Sequence, residues 1–278
     1  MFSREGFRVS KQIDALIFDW AGTVLDFGCF APTQIFVDAF KSAFDFEITL
    51  DEARKPMGLG KWEHIEALGQ DSAVSVRWQA QFGRPMAESD IDHIYNTFIP
   101  LQQERVVAHA DLIPGFLAVL SQCRDRGYKI GSTTGYPRVV MDRLVDVAAQ
   151  HGYEPDCLVC TGDLPAGGRP GPWMALACAI ELGAGAVWRC VKVDDTIPGI
   201  EEGRRAGMWT VGVTLSGSLC GVTQQQFEQM SANEKDALRQ PAAKQLQDAR
   251  AHFVIDTVAD LMPVLDQIQA RILVGDRP

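Results

Sequence analysis

The chain has 278 residues, of which 46% are hydrophobic and 22% charged, and its formal net charge is −10 with a pI near 5.0. This size fits one large domain or a core with a smaller insert, and the acidic balance argues against nucleic acid or an anionic membrane as the main partner. The opening segment MFSREGFRVSKQ has no apolar core, so we expect no signal peptide, and the apolar stretch 173–188 is too interrupted to span a membrane.

Six short apolar runs have the pattern of buried strands. In chain order they are ALIFD, YKIGSTT, CLVCT, CVKVDD, TVGV and HFVID. Helical patterns separate several of them, so we predict an α/β fold, a doubly wound, mostly parallel Rossmann-like sheet with right-handed crossovers. Polar groups at the carboxyl ends of such strands meet at one edge of the sheet, and here they are Asp19, Thr133, Thr134, Asp194 and Asp195.

The run 30–108 breaks this alternation because it holds amphipathic helical stretches and no convincing strand. We therefore predict an α-helical cap insert over 30–108 and an α/β catalytic core formed by 1–29 and 109–278. Two aromatic residues of the insert, Trp78 and Phe82, are candidates either for a subunit interface or for the core of the insert.

Seven cysteines are scattered along apolar segments, and one C-x-x-C pair joins Cys157 to Cys160. The pair lies in a strand-like run with no second pair to complete a zinc site, so buried strand cysteines are favoured over a metal or redox role. Such thiols indicate a reducing compartment, and we expect the cytoplasm.

The first strand delivers a carboxylate, Asp19, in the segment LIFDWAGTV. A carboxylate in this position suits either a nucleophile for phosphoryl transfer or a simple helix N-cap. Sites of this shape usually carry a second carboxylate two residues on, as proton donor to the leaving group, and here that position holds Ala21. General acid help is worth on the order of 10²–10⁴ in rate, so Ala21 points to a leaving group that needs no carboxylic acid there.

Three further segments could complete an anion site at the same edge. GSTTGY places the hydroxyls of Thr133 and Thr134 before a helix, which suits an anion or simple capping. GGRPGPWM holds Arg169 in a proline-rich turn, where its charge could neutralise a phosphoryl group and an attacking carboxylate. KVDDTIPG ends a strand in Asp194 and Asp195, and because paired acids repel, a Mg²⁺ site shared with the first-strand carboxylate is favoured.

Taken in order, these four segments resemble the four sequence motifs of the haloacid dehalogenase superfamily. The resemblance implies that Asp19 is a nucleophile forming an aspartyl-phosphoryl intermediate, with Arg169 where most members have Lys. The phosphoryl-binding candidates are Gly22, Thr133, Thr134 and Gly135. The implied Mg²⁺ ligands are Asp19, the Ala21 carbonyl and Asp195. Many members carry another acid four residues after the last of these, where this chain has Gly199, and Asp194 is a candidate substitute.

The insert contains a lysine in an unusual setting. In MGLGKWEHIEAL, Lys61 follows a Gly-Leu-Gly turn at a predicted helix start, and His64 lies one turn along the same face. The ordinary alternatives are a solvated surface lysine and an exposed helical histidine. The stretch is not a P-loop, because Trp62 stands where Ser or Thr is required.

With DWAGTVLDFGCFAP, GSTTGY, RPGPWM and EEGRRAGMWTVGV, this stretch is similar to the phosphonoacetaldehyde hydrolase (phosphonatase) family over nearly the whole chain, least over 74–91 and 218–251. The resemblance implies that Lys61 forms a Schiff base with the substrate aldehyde. A protonated imine beside the C–P bond accepts the electrons of that bond, so cleavage releases an enamine and no acid at Ala21 is required. The resemblance also implies a Mg²⁺-dependent homodimer in phosphonate catabolism, downstream of a transaminase acting on 2-aminoethylphosphonate. The further site residues that it marks are Cys29, Met57, His64 and Tyr136.

This chemistry makes a demand on the lysine. An ordinary lysine, with a pKa of about 10.4, is neutral in roughly one molecule in a thousand near pH 7.4. Rapid attack needs a pKa nearer ~7–8, which burial under the closed insert and the like charge of Arg169 would supply. His64 could relay protons to Lys61, Tyr136 could hydrogen-bond near the carbonyl, and Cys29 is either catalytic or only packs.

Two alternatives to a C–P hydrolase stay open at the level of sequence. Another enzyme on the same scaffold, such as a phosphatase, a phosphomutase or a dehalogenase, leaves Lys61 unexplained, and a mutase would want the acid that Ala21 replaces. A non-catalytic phosphate-binding module would explain the missing acid but not the presence of Asp19, Arg169 and Asp195.

Overall fold

In a computed structural model that describes residues 12–278, six strands form one parallel sheet in the order β3-β2-β1-β4-β5-β6. The strands are β1 (Ala15–Phe18), β2 (Lys129–Pro137), β3 (Cys157–Thr161), β4 (Cys190–Asp194), β5 (Trp209–Val213) and β6 (Phe253–Ile255). Each of the six apolar runs forms one of them, and the predicted α/β, doubly wound fold is confirmed. Residues 1–11, which hold most of the segment used to exclude a signal peptide, lie outside the described residues.

Twelve α-helices are found in the described part of the chain. Five lie within the predicted insert: α1 (Phe30–Phe44), α2 (Leu50–Arg54), α3 (Lys61–Gln70), α4 (Ser72–Phe82) and α5 (Glu88–Arg105). The others alternate with or follow the strands: α6 (Phe116–Asp125), α7 (Arg138–Gln150), α8 (Trp173–Glu181), α9 (Ile197–Arg205), α10 (Gln224–Gln229), α11 (Ala232–Asp248) and α12 (Leu261–Val274). Within residues 12–278, no helix combines the length and the apolar character needed to cross a membrane.

The central strand β1 explains why the predicted polar residues converge. All four of its side chains are fully buried, as expected for a strand covered by helices on both faces. It pairs with β2 on one side and with β4 on the other, so Phe18 lies level with Ser132 and Val193. The next residue, Asp19, donates its backbone N–H to the Val193 carbonyl at 2.9 Å. The ends of the three strands are thereby held side by side.

The insert helices have an apolar cluster of their own, distinct from the clusters on the two faces of the sheet. Phe36 and Phe98 stack within it at 4.3 Å between ring centroids, and Trp78 is fully buried there. Phe82 packs against the same cluster. Of the two roles considered for Trp78 and Phe82, the structure therefore supports the core of the insert.

The cysteines also behave as predicted from their apolar surroundings. All seven are free thiols, and six are buried. Cys157 and Cys160 lie in β3 on the covered part of the sheet. A packing role accounts for both.

Candidate active site

The ends of β1 and β4 bring three buried carboxylates together. Asp19, Asp194 and Asp195 each offer an oxygen, and these oxygens lie within 4.8 Å of one another. None of the three residues is more than 5% exposed. Like charges at this distance repel strongly in a buried site, so the arrangement requires positive partners.

Arg169 is one of those partners. Its Nη2 lies 2.8 Å from Asp19 Oδ1 and 3.2 Å from Asp194 Oδ2, and it donates to the Thr133 carbonyl at 2.8 Å. The nearby Glu202 accepts from Nε at 2.9 Å. Burial and Asp194 raise the pKa of Asp19 to about 6, against the opposing effect of Arg169. A carboxylate with this pKa is ionised near neutral pH and can act as a nucleophile.

Both carboxylate oxygens of Asp195 accept hydrogen bonds. Its Oδ2 accepts from the backbone N–H and the hydroxyl of Ser218, both at 2.8 Å, and Oδ1 accepts from Thr23 at 3.3 Å. Burial, then Asp19, then Asp194 raise the pKa of Asp195 to about 8. The local cations therefore do not balance the carboxylates, and these hard oxygen donors fit a divalent cation such as Mg²⁺.

The remaining carboxylate, Asp194, occupies the space that a side chain at position 199 would need. Its Oδ1 accepts from the N–H of Thr196 at 3.0 Å and from its hydroxyl at 2.7 Å, and Oδ2 lies 2.8 Å from Lys192 Nζ. A Cβ added at Gly199 would lie 2.0 Å from this carboxylate. An acid at position 199 cannot coexist with Asp194 in this conformation, which supports Asp194 as its substitute.

Strand alternation separates the two threonines of GSTTGY. The Thr133 hydroxyl donates to Glu202 at 3.0 Å and lies 2.9 Å from Lys192 Nζ, beneath the site. Thr134 lines the cavity above Asp19 and accepts from the N–H of Tyr136 at 3.1 Å. Thr134 is therefore the threonine whose side chain is placed for a ligand.

A small cavity joins the sheet edge to the insert. The predicted residues that line it are Asp19, Ala21, Cys29, Met57, Lys61, Thr134, Gly135, Tyr136 and Arg169. Pro32, Gly58 and Thr196 also line it. Gly22 lies just outside, against Asp195, and a Cβ there would be 2.7 Å from Asp195 Oδ2. Most of the predicted site residues are thus brought together in one place.

Glycines at the seam allow the insert to lie directly on the sheet edge. A Cβ on Gly58, which has φ +97°, would lie 2.3 Å from Thr196 Oγ1. A Cβ on Gly135 would lie 2.7 Å from the Leu59 carbonyl. Because neither position has a side chain, the loop before α3 packs directly against the edge of the sheet beside the cavity.

Lys61, the first residue of α3, lines this cavity and is only 3% exposed. Its Nζ lies 4.9 Å from the ring centroid of Tyr136 and 5.5 Å from that of Phe36. Burial lowers the pKa of Lys61 to about 8; Cys29 and Asp19 act against this fall, and Arg169 adds to it. The alternative of a solvated surface lysine is wrong, and the value agrees with the predicted 7–8.

His64 lies in the insert, one turn beyond Lys61 and fully buried, so the alternative of an exposed helical histidine is wrong. The ring stacks on Phe36 at 3.8 Å, and Nε2 lies 2.9 Å from the Ala53 carbonyl. That carbonyl can only accept, so Nε2 carries the proton and Nδ1 is the unprotonated nitrogen. Burial and the charge of Lys61 hold the pKa of His64 well below its usual range. Nδ1 has no hydrogen-bond partner within the described residues.

Tyr136 and Cys29 flank the cavity. The Tyr136 hydroxyl is buried and has no hydrogen-bond partner among residues 12–278, which leaves it open to a ligand. Cys29 forms the N-terminal boundary of α1 with φ 55°. Burial and the charges of Asp195 and Asp26 raise the pKa of the Cys29 thiol well above its usual range. A protonated thiol is a poor nucleophile, which favours packing over catalysis for Cys29.

Sequence reasoning missed several polar residues around the site. Lys192 had a visible signal, since it interrupts the apolar run CVKVDD, yet it was not assigned a role. Glu202 and Ser218 had none, because IEEGRR has the pattern of an exposed helix and SGS that of a turn. Only the packing of α9 and the loop after β5 shows that these groups are buried.

Comparisons with known proteins show which proteins this chain is similar to. A family model described as haloacid dehalogenase-like hydrolase matches residues 13–207. A protein of Aeromonas hydrophila named phosphonoacetaldehyde hydrolase is 59% identical over 97% of this chain and 96% of its own length. One from Vibrio cholerae with the same name is 58% identical over 97% of this chain and 100% of its own. A crystal structure from Oleispira antarctica, described as a phosphonoacetaldehyde hydrolase-like protein, superposes with a TM-score of 0.93 at 41% identity and covers 100% of both chains.

Proposed function

The chain belongs to the phosphonoacetaldehyde hydrolases, within the haloacid dehalogenase-like hydrolases, and from this premise we propose that it cleaves phosphonoacetaldehyde to acetaldehyde and phosphate. The observation that carries the proposal is a buried amine and a buried carboxylate in one cavity. Lys61, with a pKa of about 8, faces the same small space as Asp19 and Arg169. An ordinary phosphatase has no use for the amine.

The first step is formation of an imine on Lys61. Its neutral amine attacks the aldehyde carbon, and loss of water from the resulting carbinolamine gives a protonated imine. Burial of Lys61 favours the neutral amine, and the faces of the Tyr136 and Phe36 rings attract the iminium cation that follows. His64 stays neutral because its pKa lies well below its usual range, so it adds no positive charge beside Lys61, and its unprotonated Nδ1 can accept a hydrogen bond. The Tyr136 hydroxyl is available to hydrogen-bond the carbonyl oxygen.

The second step breaks the C–P bond. Arg169 and Thr134 bind the phosphonate oxygens, and Asp19 attacks phosphorus to form an aspartyl-phosphate. The electron pair of the C–P bond moves into the adjacent iminium and gives an enamine. No alkoxide leaves, so the carboxylic acid missing at Ala21 is not needed. Mg²⁺ held by Asp19, Asp195 and the Ala21 carbonyl would supply positive charge against the phosphoryl oxygens.

Two hydrolyses complete the cycle. Protonation of the enamine carbon restores an imine on Lys61, and water releases acetaldehyde from it. A second water attacks the aspartyl-phosphate and releases phosphate, which regenerates Asp19. We further propose that residues 30–108 act as the cap that opens for substrate entry, and that the enzyme works as a cytoplasmic homodimer supplied by a transaminase that produces the aldehyde.

A product assay tests this proposal. Phosphonoacetaldehyde is supplied with Mg²⁺, and acetaldehyde and phosphate are measured separately over time. We expect equal amounts of both products from the native enzyme and from Lys41→Arg, an exposed control. Lys61→Arg should release neither, because a guanidinium cannot form the imine. Turnover by Lys61→Arg, or faster hydrolysis of a simple phosphate ester than of the phosphono-aldehyde, would favour an ordinary phosphatase instead.

A further inference from the structure

A buried ion pair lies directly beneath the cavity and takes no part in the steps above. Lys192 is the middle residue of β4, and Glu202 lies in α9. Both side chains are fully buried, and neither lines the cavity. Burying a lysine and a glutamate costs several kcal/mol per ion before their attraction is counted, and apolar residues of the same size often serve stability better. The pair therefore calls for a functional explanation.

The contacts of the pair converge on the guanidinium of Arg169. Glu202 Oε2 accepts from Arg169 Nε at 2.9 Å and from the Thr133 hydroxyl at 3.0 Å. Lys192 Nζ lies 2.8 Å from Asp194 Oδ2, 2.9 Å from Thr133 Oγ1 and 3.5 Å from Glu202 Oε2. Glu202 thus holds the Nε edge of the guanidinium, while Nη2 lies 2.8 Å from Asp19 Oδ1.

The fold brings these groups together through two glycines of α9. A Cβ on Gly203 would lie 2.6 Å from the Cβ of Lys192, and a Cβ on Gly199 would lie 2.0 Å from the Asp194 carboxylate. The two glycines are one helical turn apart and let α9 approach β4 closely. That approach places the carboxylate of Glu202 beside the ammonium of Lys192.

The charges of the pair decide where the charge of Arg169 acts. Three carboxylates, Asp19, Asp194 and Glu202, lie within 3.2 Å of the guanidinium. Lys192 neutralises Asp194 and Glu202 from the far side, so these two acids compete less for Arg169. The positive charge of Arg169 then remains directed at Asp19 and at the position where a phosphoryl group would bind.

Building on the proposed function, we propose that Lys192 and Glu202 are positioning residues for phosphorus chemistry: through Asp194, Thr133 and Arg169 they hold the guanidinium in register with the attacking carboxylate. The pair makes no contact with Lys61. Its loss should therefore slow the step that breaks the C–P bond and leave imine formation on Lys61 intact. The imine would then accumulate.

The test uses Glu202→Gln, which keeps shape and removes charge, and the charge-balanced double variant Lys192→Met/Glu202→Gln. Phosphate release in a single turnover is compared with the fraction of Lys61 trapped by borohydride in the presence of phosphonoacetaldehyde. We expect phosphate release to fall by about 10²-fold, as for a misplaced catalytic group, while the trapped fraction stays equal or rises. Inhibition by inorganic phosphate should weaken by about 10-fold, since a charge-assisted contact loses its orientation.

The control is Asp90→Asn, which removes another buried carboxylate paired with an arginine, Arg84 at 2.8 Å, within the insert. It should lower thermal stability and leave the ratio of trapping to phosphate release unchanged. Trapping and release that fall in parallel in the Glu202 and double variants would overturn the inference, as would native release by the double variant. If native enzyme gives no adduct on Lys61, the proposed function fails, and phosphate inhibition then decides the inference by itself.

Discussion

The ionisation of Lys61 is open to a direct titration. With a pKa of about 8, burial leaves roughly one-tenth of the molecules with a neutral amine at pH 7. At the ordinary value of 10.5 that fraction would be about one in three thousand, so burial raises the supply of nucleophile by about 300-fold. As the pH rises toward 8, the neutral fraction of Lys61 should increase about tenfold with each pH unit, and above pH 8 it should level off.

Reductive methylation by formaldehyde and cyanoborohydride measures this fraction, because only the neutral amine reacts. The rate of labelling at Lys61 is followed by peptide mass spectrometry between pH 6 and 10, with Lys41 as an internal reference. Lys41 is exposed, and its hydrogen bond to Asp45 raises the pKa of Lys41 above 10.5. We expect the labelling of Lys61 to reach half its maximum near pH 8, while that of Lys41 is still rising at pH 10. A Lys61 profile parallel to that of Lys41 would refute the argument from burial.

Three other perturbations follow from the same geometry. Lys61→Met should stabilise the fold by up to about 3 kcal/mol at pH 7, because the charged ammonium of the native Lys61, with its pKa lowered to about 8, destabilises the folded state at and below pH 8. Urea denaturation measures this gain. It should shrink between pH 8 and 10.5, where the stability of the native protein rises with pH. Gly58→Ala should expose Lys61 and reduce turnover, since its Cβ would lie 2.3 Å from Thr196 Oγ1, and the midpoint of Lys61 labelling should move to higher pH. Asp195 has a raised pKa of about 8, so a proton competes with a cation for its carboxylate. The Mg²⁺ affinity measured by calorimetry should therefore fall as the pH drops below 8. At pH 8, Asp195→Asn should lower this affinity by more than about 10-fold.

Each of these three has a contrary result. Equal or lower stability of Lys61→Met at pH 7 would mean that the ammonium is not destabilised by burial. Native turnover in Gly58→Ala would mean that the close fit at Thr196 does not govern closure. Affinity for Mg²⁺ that is independent of pH would remove Asp195 from the ligand set.

Most of the sheet could be predicted from the sequence because parallel strands covered on both faces are continuous apolar runs. ALIF and CVKVD are short, apolar and followed by polar residues, and they form β1 and β4. Because parallel strands all end at the same edge of the sheet, Asp19 and Asp194 could be placed together from the sequence alone.

The interior of the site could not be predicted in the same way. Which hydroxyl of GSTTGY faces a ligand depends on the register of β2, and the structure turns Thr133 downward and Thr134 toward the cavity. The burial of Glu202 depends on the close approach of α9 to β4, which no local pattern reveals. His64 has a helical spacing typical of exposed residues, but the aromatic cluster of the insert encloses it.

Several expectations stay predictions. These are the domain limits at 30 and 108, the roles given to individual site residues, Mg²⁺, the homodimer and the cytoplasmic location. The apolar clusters favour an insert that folds around its own core, and the carboxylate oxygens within 4.8 Å favour a metal.

The most direct test of the central claim is borohydride trapping with phosphonoacetaldehyde, followed by peptide mapping, beside Lys61→Arg and the exposed control Lys41→Arg. The account predicts a reduced two-carbon or phosphono-two-carbon adduct on Lys61, with loss of activity in proportion to its yield, in the native enzyme and in Lys41→Arg. Activity that survives borohydride in the presence of substrate, or an adduct on another lysine, would contradict the imine and leave Ala21 without an explanation.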